Sequence, residues 1–266
     1  MTPDLEETFA DGIATLTLNR PASRNALTTE ILFELAQAMP RLAQDPAVRL
    51  VVLTGKGGAF CAGGDVKGFA NRAADSSNAP TFEQSAQTLR ARMEVSRWLH
   101  EMPKPTLAVI SGPAAGAGLS LALACDMRIA ADEAKLTTAF SKVGLSGDFG
   151  GSYFLTQILG AAKAREMYFT AEVILGKEAA RIGLVNRSVP GEQLAQAAAD
   201  YARELASLPT IAVGYMKRNL NAAMQNSLSE VLDLEATHMI RTFETHDHKA
   251  AAVAFVEKRA PQFEGR

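Results

Sequence analysis

The sequence lacks the features that staple, anchor or strongly charge a chain. Only two cysteines, Cys61 and Cys125, occur in 266 residues, too few for a disulfide framework. The first seven residues, Met1 to Glu7, carry no basic stretch followed by an apolar one, so the expectation is a cytoplasmic protein without a secretion signal. No apolar run is long enough to span a bilayer: residues 119–124 and their Gly/Ala-rich approach end at Asp126 and Arg128. Neither sign of charge dominates, with 27 Lys plus Arg against 29 Asp plus Glu and a formal net charge of -2. That balance gives no general pull toward nucleic acid or an anionic membrane, and leaves open only a local basic patch for phosphates. Fixed-period repeats and low-complexity tracts are also missing.

What remains is an ordinary globular composition, 47% hydrophobic and 21% charged, in a chain long enough to bury a sizeable core. Residues 12–19 alternate Thr15 and Thr17 with Leu16 and Leu18, which predicts a half-buried strand stopped at Arg20-Pro21. From Thr29 the positions Leu32, Leu35, Ala36, Met39 and Leu42 follow helical spacing, with Pro40 expected to kink or shorten the last turn. Residues 50–53 and 107–110 are continuous apolar runs of the kind buried on both faces of a sheet. Each leads into a glycine-rich loop, residues 56–64 and 111–118, and the second loop opens a helix at 119–124. Short strands are expected at 127–131 and 136–138, and almost only helix beyond Gly150. The pattern reads as α/β with extra helices at the end.

The two loops are where the chemistry concentrates. Gly112, Gly116 and Gly118 have the wrong spacing for a dinucleotide fingerprint, and Gly55-Lys56 lacks the rest of a phosphate loop. Small residues at a helix start do leave unpaired N–H groups that a ligand carbonyl can approach closely. The alternative is that they only permit tight packing of strand on helix. Phe60-Cys61-Ala62-Gly63-Gly64-Asp65 is a second loop of the same kind, and two could converge on one oxygen.

Residues 59–67 together with residues 111–126 resemble the paired signature of the crotonase (enoyl-CoA hydratase/isomerase) family. Asn19-Arg20-Pro21 with Asn25-Ala26-Leu27, Gly183-Leu184-Val185-Asn186, and residues 254–259 resemble further family segments in the right order, so the resemblance covers nearly the whole chain. It implies a spiral of repeated ββα units over residues 1–207 and a C-terminal helical region, 208–266, for trimerisation and cover of the site. It implies an acyl-CoA thioester as partner, with coenzyme A entering as part of the substrate and no separate cofactor or metal, and a homotrimer or dimer of trimers. The N–H groups of Gly64 and Ala117 would form an oxyanion hole. Ala26, Ala62 and Val66 would line the coenzyme A path through their backbone, with Arg24, Lys67 and Lys258 near phosphates; each of those three charges could equally be a solvated surface residue. Asp65, beside this path, and Asp126 are read as structural, closing loops or capping.

The sequence departs from the family where the reaction is decided. Family hydratases use two glutamates, one activating water and one protonating the α-carbon; here Ser120 and Phe140 stand at those positions. Asp148 instead sits between glycines before a helix, resembling the 1,2-epoxyphenylacetyl-CoA isomerases and related enoyl-CoA isomerases, except that Gly147 replaces their usual proline. One carboxylate suffices for isomerisation, taking a proton from one carbon and returning it to another. Asp148 could alternatively cap the following helix. An atypical hydratase (a lyase), or a coenzyme A-binding paralogue without turnover, are the other readings. Trp98, Phe140 and Phe149 belong to the core or, with Ser120, to an acyl pocket. Residues 69–97 are expected to close over that pocket. His246-Asp247-His248 is expected to be solvated or capping, since histidines two apart on a helix diverge.

Overall fold

A computed structural model describes residues 3–64 and 80–266. A six-stranded sheet runs in the order β1-β2-β3-β4-β6-β9, where β1 is Leu5–Ala10, β2 Ile13–Leu18, β3 Leu50–Gly55, β4 Thr106–Ile110, β6 Met127–Ala131 and β9 Arg187–Val189. β1 and β2 pair antiparallel as a hairpin, and every later pairing is parallel. A second sheet, β5 (Ala114–Ala115), β7 (Lys135–Thr137) and β8 (Ile174–Leu175), lies in the order β5-β7-β8. In β2, Ala14, Leu16 and Leu18 are buried while their neighbours are partly exposed, and Leu50 to Leu53 of β3 are buried without alternation. Both follow from position: β3 lies between two parallel neighbours and is covered on both faces.

Helix α1 (Thr29–Gln44) is capped by the Thr28 side chain, which accepts the Ile31 N–H at 3.2 Å. It continues through Pro40 to Gln44. Proline removes one backbone hydrogen bond, but Met39, Leu42 and Ala43 on either side are all buried, and that packing carries the helix on. Helices α2 (Phe82–Arg92) and α3 (Glu94–Glu101) follow, then α4 (Ala117–Ala124), which starts two residues earlier than its apolar run suggests and is buried at every position. Beyond Gly150 come α5 (Gly151–Thr170), α6 (Gly176–Arg181), α7 (Gly191–Ala206), α8 (Thr210–Ala223), α9 (Leu228–Phe243) and α10 (His246–Val256). This stretch is not purely helical, because it also supplies β8 and β9, the latter an edge strand of the main sheet. α5 is broken at Gly160, whose φ of 77° and ψ of 163° lie outside helix.

Two structural aspartates hold long-range geometry. Asp126 Oδ2 accepts from the Thr106 N–H at 2.8 Å and from the buried Lys217 ammonium of α8 at 2.8 Å. Asp247 is buried and accepts the N–H groups of Glu264 and Gly265 at 2.7 and 2.9 Å, pinning the chain's last residues. His246 and His248 are exposed, and no cluster among the described residues could hold a metal ion. No helix among them is long and apolar enough to cross a membrane.

Candidate active site

The site begins with Asn25. Fully buried with φ 57°, it accepts the Arg20 N–H through Oδ1 at 2.9 Å and donates through Nδ2 to the carbonyls of Lys56 and Ala59 at 3.0 and 2.8 Å. One amide therefore ties the turn after β2 to the loop after β3. The backbone continues the junction: the Ala62 N–H donates to the Arg24 carbonyl and the Leu27 N–H to that of Gly63.

This first loop is fastened to the second by the Phe60 and Cys61 N–H groups donating to the Pro113 carbonyl, and by the Ala115 N–H donating to that of Cys61. At Gly63 the contact is close and the backbone left-handed. Its φ is 90°, and a methyl group placed on it would lie 2.7 Å from the Ala115 carbonyl oxygen and 3.5 Å from the Ala117 nitrogen. Only glycine fits there, and the consequence is that Gly64, the next residue, adjoins the start of α4. Ala117 is the first residue of α4, and the capping residue Gly116 offers no side chain, so the first-turn N–H groups lack intrahelical acceptors. Neither the Gly64 nor the Ala117 N–H has a partner among the described residues. The Cys61 thiol is pushed up to about 12 by burial, so it stays a neutral packing group and offers no nucleophile.

Asp148 reaches the site from the loop before α5. Gly147, Phe149 and Gly150 all have positive φ, of 106°, 51° and 76°, and they present Asp148 between them. A proline could not adopt the φ of Gly147, and a methyl there would meet the Tyr168 ring at 2.9 Å; the departure from the isomerase pattern is thus built into this loop's shape. The Asp148 side chain does not cap α5: Gly150 occupies that position without a side-chain bond. Its Oδ1 is buried with no hydrogen-bond partner among the described residues, and burial pushes its pKa from 3.8 up to about 6.

The remaining wall comes from Ser120, Phe140 and Tyr168. Ser120 is buried on α4 and donates to the Gly116 carbonyl at 3.2 Å. A methyl placed on Gly151 would lie 2.3 Å from Ser120 Oγ and 2.6 Å from Tyr168 Oη, so the two hydroxyls flank that residue. Phe140 stacks on Tyr168 with ring centroids 5.9 Å apart. Tyr168 was not singled out by the sequence. In an unbroken helix it would stand about 26 Å from Gly151, and only the break at Gly160 folds it back.

Of the other residues singled out from the sequence, Phe149 lies in the hydrophobic core and Trp98 packs against it from α3. Ala26 is buried at the junction of the first turn, Ala62 is partly exposed, and Arg24 is exposed. Lys258 follows α10, exposed and with φ 54°. Asp65, Val66 and Lys67 lie outside the described residues.

The adjoining loops thus carry two N–H groups without a partner among the described residues, and the loop before α5 adds a buried, desolvated carboxyl. The chain belongs to the enoyl-CoA hydratase/isomerase family, whose model matches residues 8–266. It is 37% identical over 256 residues to the 1,2-epoxyphenylacetyl-CoA isomerase of Escherichia coli strain K12, covering 96% of both chains. It is 36% identical to the crotonyl-CoA hydratase of Syntrophomonas wolfei, with 94% of each covered. The fold matches the crystal structure of an enoyl-CoA hydratase from Polaromonas sp. JS666 at a TM-score of 0.90 and 34% identity, over 97% of this chain and 99% of that one. The α/β architecture is therefore that of the crotonase fold.

Proposed function

We propose that the protein is an acyl-CoA isomerase. The observation that carries this reading is the Asp148 carboxyl, raised to about 6 by burial, unpartnered at Oδ1 and free of any capping duty, in a site where Ser120 and Phe140 stand at the positions of the hydratase glutamates. The thioester carbonyl oxygen accepts from the N–H groups of Gly64 and Ala117. Asp148 takes a proton from the α-carbon of a 3-enoyl thioester, the electron pair moves onto the carbonyl oxygen as a dienolate, and the same carboxyl returns the proton to the γ-carbon. Each N–H contributes on the order of 3–4 kcal/mol because it meets charge formed only on the way to the transition state. Ala26 and Ala62 line the coenzyme A path, Arg24 and Lys258 reach its phosphates, and no separate cofactor is needed. The similarity to an isomerase supports the reading, while the hydratase names among the relatives support hydration as the competing one.

Turnover of 3-enoyl-CoA thioesters by wild type and Asp148→Asn tests it. General acid–base catalysis is typically worth about 10²–10⁴-fold, and a loss of that size is expected with substrate binding retained. Unchanged isomerisation by the variant would remove Asp148 from the mechanism, and robust hydration of crotonyl-CoA would favour the lyase.

The assembly proposed is a homotrimer or dimer of trimers. Its support is the exposed apolar side chains of the last three helices, among them Leu220, Ile240 and Phe255 at 69%, 61% and 85% exposure, a surface of the kind that marks an interface.

A further inference from the structure

Helix α4 carries the Ala117 N–H at its first residue and is buried at every position, so the carbonyls at its other end cannot turn to water. An α-helix leaves its last four carbonyls without an intrahelical donor, and here one side chain answers them. Arg128, near the start of β6, is 6% exposed. Its Nη1 donates to the Cys125 carbonyl at 2.6 Å and, more loosely, to that of Leu123 at 3.5 Å, and its Nε donates to the Leu184 carbonyl at 2.9 Å. Every one of these partners is a neutral carbonyl. Asp126, the nearest acid in sequence, acts on the guanidinium only at a distance, because it is held by Lys217 at 2.8 Å. A guanidinium does not shed its proton in a protein. A buried positive charge without a paired carboxylate among the described residues therefore stands at the far end of the helix that begins at Ala117.

We propose that Arg128 is a positioning residue for the reaction: its charge neutralises the negative end of α4, so that the positive end at Ala117 acts unopposed on the thioester oxygen. The inference rests on the reading of Gly64 and Ala117 as the oxyanion site, and adds to it a residue that touches no substrate. A helix carries the equivalent of about half a positive charge at its first turn and half a negative one at its last. With eight residues, α4 is about 12 Å long, short enough for its negative end to cancel part of what the positive end offers an enolate. Arg128 lifts that cancellation and reverses it. At the screening usual inside proteins, a unit charge about 12–15 Å from the forming oxyanion changes the rate roughly five- to tenfold. The same side chain also fastens the helix end, and charge separates the two duties, since a neutral donor to those carbonyls fastens without polarising.

Three variants test this: Arg128→Lys keeps the charge and a donor, Arg128→Gln keeps a donor alone, and Asp126→Asn removes a negative charge from the same end while keeping an acceptor for the Thr106 N–H. The probe is butyryl-CoA, which can be neither isomerised nor hydrated, carrying the natural or the heavy carbon isotope at its thioester carbonyl so that infrared difference spectra isolate that bond. Turnover of 3-enoyl-CoA is measured alongside. Wild type should move the carbonyl stretch to lower frequency on binding. Arg128→Gln should lose part of that shift and roughly five- to tenfold in kcat, with its affinity for butyryl-CoA kept. Arg128→Lys should restore both, and Asp126→Asn should enlarge the shift. An undiminished shift in Arg128→Gln, a loss in Arg128→Lys as large as in Arg128→Gln, or binding and kcat falling together overturns the proposal. If neither Arg128 variant folds by circular dichroism, Asp126→Asn decides alone, and a shift unchanged or reduced there is equally fatal. Wild type that binds butyryl-CoA with no shift at all removes the oxyanion site itself, and the proposal with it.

Discussion

At the scale of single residues, Asp148 stands apart because its burial works against the fold. In the folded chain the carboxyl holds its proton up to about pH 6, against 3.8 without burial. Between those values the folded state binds more protons than the unfolded one, so stability falls as pH rises through about 4 to 6 and stays reduced above. The gap sets an upper bound of roughly 3 kcal/mol, reduced by solvent screening because the residue is partly exposed. Asp148→Asn, which abolishes the charge, should therefore melt several degrees above wild type at pH 7 and level with it at pH 4, as calorimetry would show. The same ionisation sets activity: kcat/KM for 3-enoyl-CoA should rise with pH to a plateau, half-maximal near pH 6, because the base is the charged form. A flat profile from pH 5 to 8 would assign proton transfer elsewhere. Asn25 works in the opposite sense. Asn25→Ala leaves the Arg20 N–H and the Lys56 and Ala59 carbonyls without their partner, and a loss of about 2–4 kcal/mol is expected in denaturant titration.

At the scale of elements, the two loops were legible in the sequence, as were Ser120 and Phe140 of the wall, and Tyr168 was not. The Gly63 and Gly118 positions announce themselves, since a backbone that approaches another chain segment this closely, 2.7 and 2.4 Å from a methyl placed there to the Ala115 and Cys61 carbonyl oxygens, excludes every other residue, and composition records that exclusion. Gly63→Ala should separate the loops and lower kcat/KM by at least about tenfold, given what one misplaced oxyanion donor costs, with the fold itself intact by circular dichroism. Strands β2, β3, β4 and β6 were equally readable from their apolar patterns. β9 was not: three residues, Arg187 to Val189, are exposed or only partly buried, and pairing with β6 supplies a strand that local pattern does not encode. At Pro40 the helix is not cut short, because tertiary burial of Met39 and Leu42 outweighs one missing hydrogen bond. Tyr168 was invisible since its position depends on where α5 breaks, and the carboxyl at Asp148 could be found but not told from a cap until the loop's three positive φ angles were seen.

At the scale of the whole molecule, α8, α9 and α10 leave apolar side chains in solvent that a lone chain has no use for. Light scattering should report three or six chains per particle, and Leu220→Asp with Ile240→Asp should shift it toward the single chain; a monodisperse wild-type monomer would contradict the assembly. The break at Gly160 has a different kind of consequence. Because the two halves of α5 point differently, the residue that caps the loop end and the residue that shapes the acyl wall belong to one helix in sequence but to separate pieces in space. Substitutions in the second half, Tyr168 above all, reach the Asp148 loop through Gly147 and Gly151 while the two glycine-rich loops are fastened to each other by their own backbone. One glycine far along the helix thus decides what stands against a carboxyl that precedes the helix, a dependence that runs through the fold and not along the chain.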